Sequence, residues 1–358
     1  MDIPNKITRK LDFESSVHQK INQLLSVIDT FKGSWKMLEQ TKSGYLKELR
    51  KIATIESIGS STRIEGSTLT DEEVEKLLKS VKISKLEKRD EQEVVGYYEA
   101  LEIILENFED IPLNQSYVHQ LHGILLKHSD KDQSHRGKFK ALSNKVVANY
   151  PDGTERTIFN TTEPHLTAGE METLFLWMNE RFKKQDLHPL LIVSTFVYEF
   201  LSIHPYQDGN GRLSRLLTTL LLLKLDYGFI QYVSFEHVIE SKKSSYYRAL
   251  MDGQKNRYKS EERIDKWVFF FLESLIELTK RLEAKYETYS KLKISLNERQ
   301  QQIVAYVKDH DTVQIKDIEQ ALEGYSRNTI KKDMAYLVNE GILLKTGAGR
   351  GVRYHFKK

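Results

Sequence analysis

Within twelve residues, His204 to Arg215, the sequence HPYQDGNGRLSR collects a histidine, a carboxylate, an asparagine between two glycines, and two arginines. Histidine is the side chain best suited to accept a proton near neutral pH. Asp208 supplies a hard oxygen of the kind Mg²⁺ takes once or twice before filling its shell with phosphate oxygens and water. Gly209 and Gly211 let the backbone turn tightly and bring amides close to an anion, and Asn210 adds a side-chain donor. Arg212 opens the apolar run that follows, where a helix N-terminus favours negative charge. Arg215 lies three residues on, close to the same face. Such a set suits a polyphosphate held beside a nucleophile that is losing its proton.

Taken singly, each of these residues is ordinary: a histidine caps a helix, Asp-Gly makes a turn, two arginines face water. The ordered set between two apolar stretches is not ordinary, and no grouping elsewhere competes with it. The chain has no Walker-type glycine loop, no HExxH and no serine triad.

Rigid elements must present this loop. Leu190–Leu201 is apolar on nearly every side, which predicts a helix buried at the centre of a domain and ending at His204. Apolar residues at helical spacing predict further helices over Val17–Phe31, Tyr45–Ile58, Glu91–Phe108, Tyr117–Leu126 and Met171–Phe182. Thr70 and Glu73 form a capping box opening another. Ile264–Leu282 places Trp267, Phe271, Leu275, Leu278 and Leu282 on one stripe, read as core packing. KVVANYPDGTERTIF, Lys145–Phe159, breaks the helical habit and carries a Pro-Asp-Gly turn signal. It predicts a hairpin, and a flap able to hold an extended peptide by strand addition. From about residue 294 three short helices and a hairpin around a Gly-rich turn read as a winged helix-turn-helix.

Composition bounds the rest. The chain has 358 residues, 39% hydrophobic and 29% charged, enough for a main body and a smaller appendage. A formal charge of +3 is too small to imply nucleic-acid binding by the whole molecule. Without cysteine, disulfides, thiolate catalysis and cysteine-held metals are excluded. The polar start MDIPNKITRKLDFESS lacks the apolar core of a secretion signal, and Leu216–Leu223 is far too short to span a bilayer. The expectation is a cytoplasmic protein without a membrane partner.

HPYQDGNGRLSR resembles the signature of Fic-domain proteins, His-Pro-Phe-x-Asp/Glu-Gly-Asn-Gly-Arg-x-x-Arg, with Tyr206 in place of phenylalanine. That ring is expected in the core, its hydroxyl tolerable where it meets water or an acceptor. The resemblance implies a mainly α fold: a Fic-type helical core with a small β-hairpin flap, plus the C-terminal winged helix. Covering about residues 45–290, it joins the tail's own pattern in dividing the chain into an N-terminal helical region over 1–110, a catalytic domain over 111–290 and a winged-helix domain over 294–358.

It also implies AMPylation, the transfer of AMP from ATP to a Ser, Thr or Tyr hydroxyl of a protein. His204 is then the base, and Asp208 holds Mg²⁺ against the α- and β-phosphates. Gly209, Asn210 and Gly211 cradle the α-phosphate, Arg212 grips the β-phosphate and Arg215 reaches the γ-phosphate. Thr157, Ile158 and Phe159 match the family's flap in placement. Tyr246 and Tyr247 look like the pair that lines the adenine pocket, with Gln254 nearest to where relatives carry asparagine.

SSTRIEG, read alone, is the frayed end of a helix. Beside the Fic signature, Ser61-x-x-x-Glu65-Gly66 resembles the family's inhibitory motif. A carboxylate paired bidentately with Arg215 occupies the group a γ-phosphate needs. Some relatives use the same glutamate to remove AMP, and the sequence leaves both roles open. In the tail, Ser326-Arg327-Asn328-Thr329 opens the expected recognition helix, followed by Lys331 and Lys332, with Arg350, Arg353, Lys357 and Lys358 on the wing. Such a basic edge suits phosphate contacts, yet winged helices also dock proteins or form dimers. The expected partners are a target protein bearing a hydroxyl, with DNA and a second copy of the chain left open. A DNA-binding regulator with a nucleotide-sensing Fic domain is the alternative.

Overall fold

The computed structural model describes residues 3–39, 44–80, 86–149, 155–293, 296–310, 312–322, 324–347 and 349–356, with backbone alone at 3–5, 44–45, 147–149, 155–158, 160, 288–293 and 350. Two compact units divide the chain: residues 1–32 with 52–279, and residues 33–51 with 280–358. Among the described residues, no helix is long and apolar enough to cross a membrane.

The first twelve helices are α1 (Ile3–Arg9), α2 (Ser15–Glu39), α3 (Gly44–Ile64), α4 (Asp71–Ser80), α5 (Arg89–Asn107), α6 (Gln115–Leu125), α7 (Pro164–Lys184), α8 (Pro189–Ile203), α9 (Asn210–Lys224), α10 (Phe235–Ser241), α11 (Lys243–Gln254) and α12 (Asp265–Lys293). The first unit is built around α8 and α9, whose side chains are buried along nearly their whole lengths. A helix apolar all round must lie inside its domain, because no face of it gains from water. Helices α7 and α5 pack against this pair, and α6 crosses α5 closely. Gly96 makes that crossing possible: a Cβ there would lie 2.1 Å from the Leu125 carbonyl oxygen. The stripe Trp267, Phe271, Leu275, Leu278 and Leu282 on α12 is buried throughout, as core packing requires.

The predicted capping box forms. Glu73 N–H donates to Thr70 Oγ1 at 3.3 Å and Thr70 N–H to the Glu73 carboxylate at 2.8 Å. Pro164 starts α7 at its first turn, where its missing N–H costs nothing. Helix α9 begins at Asn210 rather than at Arg212, because Gly209 adopts a left-handed backbone (φ 79°) and serves as the cap.

The expected hairpin is present. Strands β1 (Lys145–Asn149) and β2 (Glu155–Asn160) pair antiparallel, Lys145 opposite Asn160, with a bulge between Val146 and Val147. Its Pro-Asp-Gly turn lies outside the described residues.

In the second unit, α13 (Glu298–Lys308), α14 (Ile315–Ala321) and α15 (Arg327–Asn339) precede the antiparallel strands β3 (Leu343–Thr346) and β4 (Arg353–Phe356). Ile303, Val307, Ile318, Ile330, Met334, Leu337 and Leu343 form their common core. Ser326 caps α15, accepting from Thr329 N–H at 3.2 Å. Three helices and a hairpin over one core make the winged helix-turn-helix read from sequence. The Arg350 side chain, Lys357 and Lys358 lie outside the description.

Candidate active site

Helix α8 ends at His204, whose backbone is left-handed (φ 53°, ψ 61°). That conformation strains a residue with a Cβ, and it turns the chain sharply out of the core. The Nδ1 of His204 lies 3.3 Å from the Leu201 carbonyl oxygen. A carbonyl only accepts, so Nδ1 carries the proton and Nε2 keeps a free lone pair. Burial, and then the nearby Lys140 cation, push the His204 pKa down to about 4. The imidazole is therefore neutral at physiological pH.

The turn after His204 is stitched to itself. Asn210 Oδ1 accepts from Tyr206 N–H at 2.9 Å, and Asn210 Nδ2 donates to the Tyr206 carbonyl at 2.7 Å. The Asn210 side chain is thus committed to holding the loop, which leaves its backbone amide as its donor toward an anion. Tyr206 is fully buried, stacks on His122 with centroids 3.8 Å apart, and shares a 2.9 Å hydrogen bond with His119 Nδ1. The hydroxyl that departs from the usual phenylalanine therefore has a hydrogen-bond partner. His122 takes Gly137 N–H on Nδ1 at 2.8 Å and faces the Asp208 carbonyl with Nε2 at 3.0 Å. Those two partners fix its neutral tautomer beneath the loop.

Asp208 is ringed by cations: Arg212 Nη2 at 3.3 Å, Lys131 Nζ at 3.4 Å and Arg89 Nη2 at 3.6 Å. Burial alone would raise its pKa, but Arg212 and the Gly209 N–H outweigh that and lower it. No cluster of three or more His, Asp or Glu that could cage a metal exists among the described residues. The donor set still fits Mg²⁺, which needs one ionised carboxylate when phosphates and water complete its shell.

Arg212 and Arg215 are buried, 1% and 2% exposed. Arg212 lies 3.3 Å from Glu93 through Nη1, yet its Nε and Nη1 find no hydrogen-bond acceptor among the described residues. Buried donors left unmet are costly, so this guanidinium is ready for an incoming anion. Arg215 is held by the last turn of α3. Its Nε donates to Ser61 Oγ at 2.7 Å, and Nη2 donates to the Ser61 carbonyl at 2.9 Å and to Glu65 Oε1 at 2.8 Å. The Glu65 pairing therefore uses one carboxylate oxygen, not the bidentate form expected, because Ser61 takes the Nε edge of the fork. The pair is also only half desolvated: the Glu65 side chain is 31% exposed, that of Arg215 2%.

Glu65 lies just beyond the end of α3, over the first turn of α9. A Cβ on Gly211 would stand 2.2 Å from Glu65 Oε1. Burial by itself would raise the Glu65 pKa, but Arg215 and Arg212 lower it, so the group is a carboxylate. The seat at the α9 N-terminus, with its unpaired amides, thus already accommodates an anion supplied by the chain.

The remaining residues divide. Tyr246 is buried against Trp267, Phe270 and Tyr247, while Tyr247 is partly exposed and interacts electrostatically with Glu65. Gln254 donates to Ser202 Oγ. Phe159 is buried in β2; the side chains of Thr157 and Ile158 lie outside the description. Sequence reasoning missed three contributors. Arg63 ties the Glu65 turn down, donating to Glu240 at 2.8 Å, Asp71 at 2.8 Å and the Leu69 carbonyl at 3.0 Å. Lys243 donates to the Ile64 carbonyl at 2.7 Å. His122 was the detectable one, since His119 and His122 share a face of α6 at three-residue spacing.

The loop from His204 to Arg215 lies in a segment that matches a known family. Residues 112–222 match the Fic/DOC family, and residues 299–352 match the DeoR-like helix-turn-helix domain. The chain therefore carries a Fic/DOC domain followed by a helix-turn-helix domain. It is similar to the protein adenylyltransferase Fic of Drosophila melanogaster, 28% identical over 187 residues, 52% of this chain and 35% of the relative. The Drosophila willistoni protein of the same name is 26% identical over 205 residues, covering 57% and 38%. The chain thus spans little more than a third of the length of these curated relatives. Among solved structures, a Fic family protein from Desulfovibrio desulfuricans G20 has a TM-score of 0.62 at 21% identity, covering 94% of this chain and 95% of its own. Fic-1 from C. elegans has a TM-score of 0.60 at 18% identity, covering 76% and 74%. At these identities the structural likeness concerns the fold.

Proposed function

We propose that the chain is an autoinhibited protein adenylyltransferase of the cytoplasm. It moves AMP from ATP to a Ser, Thr or Tyr hydroxyl of a target protein or of itself. The observation that carries this reading is the seat at the start of α9. A carboxylate already occupies it, two buried arginines line it, and a neutral imidazole with a free Nε2 stands at the preceding helix end.

In the proposed reaction the target oxygen forms a bond to the α-phosphorus. The bond from that phosphorus to the bridging oxygen breaks, and pyrophosphate leaves. His204 Nε2 takes the hydroxyl proton. A pKa near 4 makes the free imidazole a weak base, and the negative charge of a bound polyphosphate raises it toward the useful range. The amides of Gly209, Asn210 and Gly211 hold the α-phosphate, Arg212 the β-phosphate and Arg215 the γ-phosphate. Mg²⁺ bound at Asp208 would neutralise phosphate charge. Tyr247 borders the base pocket, with Tyr246 supporting it from the core. The hairpin β1–β2 aligns the target by strand addition.

Glu65 restrains this site because its carboxylate and a γ-phosphate compete for Arg215. In functional terms, residues 1–110 carry the brake, 111–290 the chemistry and 294–358 the recruiting module. Incubation of Glu65→Gly with labelled ATP tests the reading: it should label itself at least about tenfold faster than the parent, and His204→Ala in that background should abolish labelling. Equal rates in parent and Glu65→Gly contradict the brake. AMP removal by a Glu65-oriented water would appear as faster loss of label from modified protein in the parent than in Glu65→Gly.

A second reading has its own observation. Arg327, Asn328, Lys331 and Lys332 are exposed along α15, the helix that enters the major groove in such domains. In that reading the chain regulates transcription and its Fic domain senses nucleotide. DNA binding that survives His204→Ala, with no labelling by any variant, favours it.

A further inference from the structure

Lys140 is 3% exposed and precedes the hairpin. A buried ammonium needs an acceptor for each of its three protons. Lys140 has them: Asn144 Oδ1 at 2.9 Å, Thr161 Oγ1 at 2.8 Å and the Ile203 carbonyl at 3.0 Å. Its own backbone N–H donates to the Pro205 carbonyl at 2.9 Å. Asn144 and Thr161 are the residues immediately outside the first ladder pair, Lys145 with Asn160. Ile203 and Pro205 are the neighbours of His204 on either side. One residue therefore joins both ends of the hairpin to the chain on either side of His204: its side chain reaches Asn144, Thr161 and Ile203, and its backbone amide reaches Pro205. Asn144 adds a parallel tie, donating through Nδ2 to the Tyr206 carbonyl at 2.9 Å.

We infer that Lys140 is a positioning residue, a clamp that fixes the hairpin against His204 so that a strand added to the hairpin brings its hydroxyl to Nε2. The inference rests on the proposed transfer reaction for its purpose, while the clamp itself is measurable without any reaction. A misplacement of about 1 Å can cost such a transfer about a hundredfold, and a two-stranded hairpin alone is too weak to hold its orientation. The charge acts as well. Lys140 is a cation facing His204 and opposes its protonation, whereas Glu65 and Asp208 favour it. Burial lowers the Lys140 pKa to about 8, with Glu163 and Glu170 raising it and Arg257 lowering it. The ammonium therefore remains mostly protonated at neutral pH.

The test uses the full chain with Lys140→Met, in the parent and in the Glu65→Gly background. Amide hydrogen exchange without nucleotide should quicken about tenfold or more over 144–149, 155–161 and 203–206, while α5 keeps its protection. The NMR titration midpoint of His204 should rise once the cation is gone. In the Glu65→Gly background, labelling should fall about tenfold or more, with the Kd for Mg-ATP within about twofold. Unchanged exchange and an unmoved His204 midpoint overturn the clamp, as does a loss of nucleotide affinity that parallels a global loss of protection. Should Glu65→Gly itself label nothing, the transfer reading fails, and exchange and titration still decide the clamp. Should Lys140→Met not fold, Thr161→Val removes one acceptor at equal size, and the same exchange pattern at smaller amplitude is expected.

Discussion

Glu65 Oε1 lies 2.8 Å from Arg215 Nη2 and occupies the space that a Cβ on residue 211 would need. Because residue 211 is glycine, the Glu65 carboxylate can lie directly on the first turn of α9. The proposed brake is therefore a fit between a carboxylate and bare backbone as much as an ion pair.

Gly211→Ala tests that fit. Residue 211 is helical, so alanine suits its backbone, and the added methyl instead meets the Glu65 carboxylate at 2.2 Å. We expect the variant to fold with its denaturant midpoint little changed. In the Glu65→Gly background it should bind Mg-ATP at least about tenfold more weakly, because the methyl stands in the anion seat. Calorimetric titration of the double variant measures this; unchanged affinity would place the phosphates elsewhere.

Arg63 anchors the turn that carries Glu65 through Glu240 and Asp71, both partly exposed partners. Removing it should cost about 1–2 kcal/mol locally. Arg63→Ala should raise self-labelling in the parent and have no further effect in Glu65→Gly. A similar rise in both backgrounds would mean that Arg63 acts apart from Glu65.

Acid should weaken the fold through His122. Burial holds its pKa near 4, whereas an unfolded histidine titrates near 6.5. Between those values the unfolded chain binds a proton that the native chain refuses. The contribution is complete above about pH 6.5 and is lost as pH falls toward 4, at most about 3 kcal/mol. His204 acts in the same direction, less strongly for being partly exposed. Urea unfolding at pH 7 and pH 5 should show the loss, and His122→Gln should flatten it. Equal slopes in the two proteins would assign the acid sensitivity elsewhere.

The tail makes a separable prediction. Lys331→Glu with Lys332→Glu should weaken binding to duplex DNA about tenfold or more and reduce its salt dependence, leaving self-labelling of Glu65→Gly intact. Fluorescence anisotropy across a salt series reads the effect. Absence of DNA binding by the parent would favour a protein partner for this domain.

How much of this was legible differs by element. Helix α8 was plain because an uninterrupted apolar run has one stable place, and the winged helix because its turns punctuate short periodic segments. Helix α7 starts at Pro164, seven residues before the Met171 expected, since its first turns are mostly exposed and carry little apolar period. Helices α1 and α10, each of seven residues, are too short to show a period at all. The loop from His204 to Arg215 was legible because its chemistry is contiguous. The residues that hold it are not. Arg63 reaches Glu240 across 177 positions and Lys140 reaches Ile203 across 63, distances at which one sequence carries no pairing signal. Tyr246 and Tyr247, adjacent in sequence, divide in the fold: the first ring packs against Trp267 and Phe270, and the second is partly exposed.

The most direct measurement compares ATP labelled at the α-phosphate with ATP labelled at the γ-phosphate, each incubated with Glu65→Gly. The account predicts that label enters protein from the α position only, that His204→Ala abolishes it, and that the parent incorporates it at least about tenfold more slowly. Incorporation from the γ position, or α-labelling that persists without His204, would contradict it.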